Sequence, residues 1–303
     1  METSASVYHI PALLPEAINL LQIKPQGIYI DATFGGGGHS RAIMKALGEK
    51  GHLYSFDRDM DAYANRIDDN RFTFVHSNFR FIENFMRFYG VDKVDGILAD
   101  LGVSFHHFDS ADRGFSFRND APLDMRMNRL ASLSAADIIE RADEKELLRI
   151  LTRYADLKRP LNVARVIAKA KQDNPIDSTF RLAEAARPAL DPRQEKKELA
   201  QVFQALRIET NDETGDLRRF LEASARVLKP GKARSADLSF GGRQNGEKFH
   251  EDRKCRRNRR ERLFRQSVIS WKVITRKPVE PSQKEIEENP RSRSAKLRVA
   301  ELA

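Results

Sequence analysis

The chain has 303 residues with 53 Lys/Arg against 44 Asp/Glu, a formal net charge of +9. That length allows one large domain or two modest ones, and no apolar run is long enough to cross a bilayer. The single cysteine, Cys255, excludes an internal disulfide and a cysteine-built metal site within one chain.

Residues 1–8 lack a basic region followed by an apolar stretch, so no secretory signal is read there, and a cytoplasmic setting without a membrane partner is expected. The positive charge points to an anionic partner, nucleic acid first. Its distribution tempers that reading. Residues 231–270 hold twelve Lys/Arg against five Asp/Glu, so most of the excess sits in one segment.

In chain order, a helical pattern over 12–21 precedes an apolar, β-branched run, 27–32, that ends in Asp31 and Ala32. Thr33, Phe34 and four glycines follow, then a helical segment from His39. Strand, glycine turn and helix N-terminus in that order let a ligand lie against the backbone and meet free N–H groups. A glycine turn also arises for conformational reasons alone. Asp57 favours a ligand: it closes a second apolar run twenty residues after Gly37, where Rossmann-like units hold ribose hydroxyls.

A helix over 60–67, a strand over 72–76, Phe79, a helix over 82–88 and a strand over 94–101 ending in Asp100 continue the alternation. Such alternation predicts a parallel sheet covered on both faces, with ligands at the C-terminal strand ends. Asp31, Asp57, Phe79 and Asp100 all fall at or just past those ends.

The pattern breaks over 103–128, a stretch rich in aromatics and arginine. Irregular segments of that length inside a compact domain usually serve a function or are disordered, and the aromatic content argues against disorder. Phe105, Phe108 and Phe115 suit either a ligand-binding role or core packing. Arg113, Arg118 and Arg126 suit either phosphate or the neighbouring Asp109, Asp112 and Asp124. Adjacent His106 and His107 make a poor metal site, and none is expected. Helical patterns follow over 134–141, 144–154, 159–171, 179–186 and 196–208, then 215–227, ended by Lys229-Pro-Gly. A last strand is read over 270–274, and the tail ends in an apolar-basic alternation. The expected organisation is a first α/β part over 1–104, an inserted helical domain over 105–208, and a second α/β part over 209–303.

His9-Ile-Pro, Asp31-Ala-Thr-Phe-Gly-Gly-Gly-Gly-His-Ser, Phe56-Asp-Arg-Asp and Asp95-Gly-Ile-Leu-Ala-Asp-Leu-Gly-Val-Ser occur in this order. Arg113-Gly-Phe-Ser-Phe-Arg, Asp120-Ala-Pro-Leu-Asp-Met-Arg-Met, Phe203-Gln-Ala-Leu-Arg-Ile-Glu and Glu288-Asn-Pro-Arg-Ser-Arg-Ser-Ala-Lys-Leu-Arg follow them. In these blocks the chain resembles the bacterial S-adenosylmethionine-dependent methyltransferases that modify the exocyclic N4 of a cytosine in 16S rRNA. The Leu-Asp-Met-Arg-Met and Phe-Gln-Ala-Leu-Arg blocks are the most diagnostic.

The resemblance implies an α/β fold: a class I, Rossmann-like methyltransferase sheet with an inserted helical RNA-recognition domain, acting on the small (30S) ribosomal subunit near the decoding centre. It implies cofactor contacts at Gly37, Gly38 and His39, ribose hydroxyls at Asp57, adenine near Phe79 and the methionine end at Asp100. His107 stands where the family has Gln, which keeps one hydrogen bond but loses a carboxamide's paired donor and acceptor. Methyl transfer to an amine draws most of its help from placing the reactants, so Asp100 is the candidate for orienting the methionine amine or the target N4. The cytosine must leave its stack, and Phe105, Phe108 and Phe115 are the candidate receivers, with Arg113, Arg118 and Arg126 on phosphate. A homodimer is kept as a further partner; the residues do not fix the oligomeric state. The competing readings are a methyltransferase acting on another nucleic-acid or protein amine, and a non-catalytic RNA-binding protein.

Residues 233–269 depart from the family: the strand's β-branched residues are gone and an arginine-rich run follows. Back-translated with free codon choice and read one frame over, 238–253 yields Tyr-His-Ser-Gly-Glu-Asp-Arg-Met-Val-Lys-Asn-Phe-Met-Arg, close to the missing block. A compensated frameshift is the favoured reading and a basic RNA-binding insertion the other. If the segment is genuine, the sheet is expected to lose a strand and leave backbone partners unpaired.

Overall fold

The computed structural model describes residues 11–101, 111–230, 234–240 and 271–302. Two compact units make up the chain: Met1–Gly102 with Asp216–Ala303, and Val103–Gly215. The helices are α1 (Leu14–Leu21), α2 (Gly38–Ala46), α3 (Ile82–Phe88), α4 (Ala135–Arg141), α5 (Glu144–Tyr154), α6 (Pro160–Asp173), α7 (Thr179–Ala186), α8 (Glu195–Thr210), α9 (Glu213–Val227) and α10 (Gln283–Glu288). The strands are β1 (Ile28–Asp31), β2 (His52–Asp57), β3 (Phe72–His76), β4 (Gly96–Leu101), β5 (Arg234–Phe240), β6 (Trp271–Val273) and β7 (Ala295–Leu302). Residues 60–67, expected as an α-helix, form the tighter 3-10 turn Met60–Asn65, with the Asp59 carboxylate accepting from the Asp61 N–H.

The first unit is a seven-stranded sheet in the order β3-β2-β1-β4-β5-β7-β6. β1 to β5 run parallel, and β7 lies antiparallel between β5 and β6. This is the class I, Rossmann-like α/β methyltransferase sheet. Successive strand residues alternate between its two faces. Ile30, Phe56, Ile97 and Ala99 enter one core with Phe220 and Leu221 of α9, and Tyr29, Leu53, Leu98, Leu297 and Val299 enter the other with Ile43 and Met44 of α2. Both faces being covered, the strands are near-continuous apolar runs. Each large side chain so buried contributes about 1.5–3 kcal/mol.

The strand expected to be lost within 233–269 is formed by its described residues, 234–240. β5 pairs parallel with β4 over 234–239 and antiparallel with β7 over its whole length. Ladder hydrogen bonds are made by backbone groups, and strands on both sides supply partners whatever the side chains. The tail, read only as an alternation, is the strand β7, with Ala295, Leu297 and Val299 buried.

The second unit is helical with its own core, built around Leu123, Met125, Ile139, Ile150, Val163, Leu182, Val202 and Phe203. The starts of α4, α5 and α7 carry side-chain caps. Ser134 and Asp137 form a reciprocal capping box at α4, and Asp143 and Ser178 cap α5 and α7.

Candidate cofactor site at the strand tips

β1, β2 and β4 end side by side, and their tips are tied together by hydrogen bonds. The Gly35 N–H donates to one carboxylate oxygen of Asp57 at 2.8 Å and the Asp59 N–H to the other at 2.9 Å. The Asp100 N–H donates to Thr33 Oγ1 at 2.6 Å, joining the β4 tip to the turn after β1. A carboxylate has about four lone-pair positions, so this residue type can accept from hydroxyls as well as from backbone N–H groups.

The glycine turn divides its labour. Gly35 has φ 51° and a Cβ there would meet nothing within 4 Å, so this position borders open space. Gly37, at φ 75°, is glycine for conformation and packing: a Cβ would lie 2.5 Å from Arg41 Nη1 and 2.8 Å from Phe34 Cζ. Gly38 admits Pro11, whose Cγ would be 2.2 Å from a Cβ. The turn is pinned from outside. Arg41 Nη1 donates to the Gly36 carbonyl at 2.6 Å and Asn65 Nδ2 to the Gly35 carbonyl at 3.1 Å.

At α2 the first intrahelical acceptance is by Gly37 O, from the Arg41 N–H at 2.9 Å. The preceding N–H groups at this helix start therefore have no intrahelical acceptor. The His39 ring is buried against the Ala12 backbone, and burial pushes it down to about 4, so it is neutral near pH 7. It is the backbone of His39, at the helix N-terminus, that has the better placement for an anionic or polar ligand.

The sequence groups Asp31 with Asp57, Phe79 and Asp100 at the strand ends where ligands are expected. In the fold Asp31 is fully buried and accepts from Ser40 Oγ at 2.6 Å and the Thr33 N–H at 3.1 Å. Burial pushes its carboxyl up to about 7, the Asp57 charge adds to the rise, and the two hydrogen bonds oppose it. Phe79 follows β3 at the start of a 3-10 turn capped by Asn78, and its ring meets Phe220 edge-on with centroids 5.1 Å apart. Open space beside Gly35, helix-terminal donors and a ribose-type acceptor suit a nucleoside cofactor with an amino-acid arm.

Phe105, His107 and Phe108 lie outside the described residues. In the helical unit the structure decides between alternatives left open above. Phe115 is core: it is 4% exposed among Leu123, Met125 and Phe203. Arg113 is 2% exposed and donates through Nη2 to the carbonyls of Arg126 at 2.9 Å and Met127 at 3.2 Å, which turns it inward, away from a solvent phosphate. Arg126 grips Asp124 through Nε at 2.7 Å and Nη2 at 2.8 Å and also donates to the Ala131 carbonyl, so it pairs within the unit. Arg118 is exposed and makes no ion pair among the described residues.

Sequence reading missed Asp216 on α9, 1% exposed, which the Arg58 and Arg80 guanidiniums approach at 3.5 and 2.9 Å. The available signal was an acid in line with Phe220 and Ser224 at helical spacing, on a face that had to be apolar.

Residues 6–303 match the model of the MraW methylase family. "Ribosomal RNA small subunit methyltransferase H" of Porphyromonas gingivalis is 48% identical over 98% of this chain and 97% of its own length. The proteins of the same name from Phocaeicola vulgatus, covering 99% of each chain, and Christiangramia forsetii, covering 97% of each, are both 45% identical. A match of that span and identity places the chain within one family: it belongs to the MraW methylases.

Proposed function

We propose that this chain is an S-adenosylmethionine-dependent rRNA methyltransferase that methylates the exocyclic N4 of a cytosine in 16S rRNA of the small (30S) ribosomal subunit, near the decoding centre. The observation that carries the cofactor half is the junction of strand tips, where Gly35 leaves open space beside Asp57 and the Asp100 backbone is tied to Thr33. Family membership and relatives at 45–48% identity named for rRNA methylation support the substrate half.

S-adenosylmethionine, when bound, supplies an electrophilic methyl group on its sulfonium. Asp57 would accept from the ribose hydroxyls, and Phe79 would lie near the adenine. The backbone of the α2 N-terminus, Gly37 to His39, would hold the amino-acid arm. Asp100 orients the methionine amine or the target N4, and its carboxylate can accept an N4 proton's hydrogen bond. Placement is the main contribution asked of these residues. The helical unit serves as the RNA-recognition domain, with Arg118 on its surface in a position to meet phosphate. His107, Phe105 and Phe108 keep their expected roles, the first toward the cofactor and the phenylalanines toward the extruded base. Among the described residues no helix is long and apolar enough to cross a membrane. We place the enzyme in the cytoplasm, where the subunit is; sedimentation distinguishes a monomer from a homodimer.

The test is incubation of the protein and labelled S-adenosylmethionine with small subunits from cells lacking this modification, followed by nucleoside analysis. N4-methylcytidine in 16S rRNA is the expected product. Cofactor binding with label only in naked RNA, DNA or protein would redirect the substrate, and failure to bind the cofactor would overturn the reading altogether.

A further inference from the structure

We propose that Asp216 is a positioning residue for the adenosine half of the cofactor, an inference that rests on the cofactor reading above. Asp216 lies in the first half of α9 with its side chain 2% exposed. One of its oxygens accepts from Asn78 Nδ2 at 2.5 Å and lies 3.5 Å from Arg58 Nη1; the other accepts from Arg80 Nη1 at 2.9 Å and lies 3.6 Å from Arg219 Nη1. A carboxylate buried this deeply must be paired, and swapping such a cluster for apolar side chains is often neutral or favourable for stability. Its value to this fold is therefore sought in geometry.

The partners come from the two loops that flank the proposed nucleoside. Arg58 directly follows Asp57, the ribose acceptor. Asn78 and Arg80 directly flank Phe79, the adenine neighbour. Asp216 thus fixes a side chain one step from each residue that meets the adenosine. The same helix acts again one turn on, where Phe220 holds the Phe79 ring edge-on at 5.1 Å. The Arg58 guanidinium carbon also lies over the Phe79 ring, 5.8 Å from its centre. Asn78 is itself ordered by accepting from the Arg80 N–H at 3.0 Å through Oδ1 while its amide donates to Asp216. Asp216 touches no proposed ligand atom; its effect passes through the loops.

The experiment is calorimetric titration of the full-length protein and its Asp216→Asn variant with S-adenosylhomocysteine and with methylthioadenosine, which lacks the amino-acid arm. Turnover on small subunits at saturating S-adenosylmethionine is measured alongside. Removing the charge that aligns both loops is expected to weaken both ligands by the same factor, about tenfold, and to leave kcat within about twofold. Arg58→Gln, at the loop end of the same contact, provides a second variant should the first fail to fold. It is expected to weaken both ligands alike, and in the double variant the losses should fall well short of additive. Unchanged affinities with only a lowered melting temperature would show a merely structural pin and overturn the proposal. Loss confined to S-adenosylhomocysteine would also overturn it, by locating the effect at the amino-acid arm. A wild-type protein that binds neither ligand would overturn the cofactor reading itself, a result distinct from both.

Discussion

Asp31→Asn should change how stability depends on pH. The Asp31 carboxyl has an ordinary value of 3.8 and is pushed up to about 7 in the fold, chiefly by complete burial. Between those values the unfolded chain ionises Asp31 while the folded chain keeps the proton. The folded state then binds more protons, so this group makes stability fall as pH rises from about 4 to about 7, with no further change above. Three units at 1.36 kcal/mol each make the loss on the order of 4 kcal/mol. Asparagine is a matched probe. Its Oδ1 can accept from the Thr33 N–H, and its Nδ2 can donate to Ser40 Oγ, which already shares a 2.8 Å hydrogen bond with Ser55 Oγ. The variant should therefore gain on the wild type across the window, by up to about 4 kcal/mol at pH 8 relative to pH 4. Urea unfolding at a series of pH values measures this. Trp271 is the single tryptophan and belongs to β6, so its fluorescence follows the sheet unit. Parallel stability curves for the two proteins would refute the reasoning, because they would mean that Asp31 ionises alike in both states.

Gly35→Ala places a methyl in open space at φ 51°, so it should cost only about 1–2 kcal/mol of stability yet weaken S-adenosylhomocysteine at least tenfold, by estimate ~1.4 kcal/mol or more. Gly37→Ala drives a methyl into Arg41 and the Phe34 ring and should instead be read mainly in the melting temperature; normal cofactor binding by Gly35→Ala would sink the open-cradle argument. Arg118→Ala should leave stability within about 0.5 kcal/mol and reduce the salt slope of small-subunit binding by about one, whereas Arg113→Ala should cost roughly 3 kcal/mol by stranding the buried carbonyls of Arg126 and Met127. Filter binding over a salt series and thermal melts read the pair, and an unaltered salt slope for Arg118→Ala would remove its phosphate role. Peptide mapping of the natural protein across 232–270 is expected to recover Tyr-His-Ser and Val-Lys-Asn-Phe; peptides carrying Cys255 among its arginines would refute the frameshift.

Much of the fold was legible because local signals agreed with long-range ones. The apolar runs at 28–31 and 52–57 are strands, and Ser134, Asp143 and Ser178 are residue types that favour the cap positions they hold. The placement of Asp57, Phe79 and Asp100 at or just past strand ends was legible because parallel strands gather their C-terminal ends. What was not legible depended on partners far away in sequence. Asp216 sits in a helix crowded with Arg218, Arg219 and Glu222 and reads as one more solvated charge, but its ligating arginines are 136 and 158 residues distant. The separate purposes of Gly35 and Gly37 were equally hidden, since both are glycines with positive φ and only the surrounding atoms tell space from strain. For Arg113 and Arg126 the sequence left phosphate and neighbouring carboxylates open; one is inside the helical core and the other pairs with Asp124, two residues back.

The segment 234–240 shows where composition was the wrong variable. Arg-Ser-Ala-Asp-Leu-Ser-Phe lacks β-branched residues, and strand preference on that scale amounts to only about 1 kcal/mol across all residue types. Against it stand two ladders, β4 on one side and β7 on the other, each able to satisfy the segment's N–H and C=O groups. Leaving those groups buried without partners would cost about 1–3 kcal/mol apiece, so pairing outweighs preference several times over. The consequence reaches the site, because Asp100 and Leu101 are in register with Leu238 and Ser239 of β5. The tip that carries Asp100 is thus held on the β5 side by backbone, through a contact that any seven residues able to extend there would supply. A change of residue type in this segment alters what packs on the faces of the sheet before it alters where Asp100 stands.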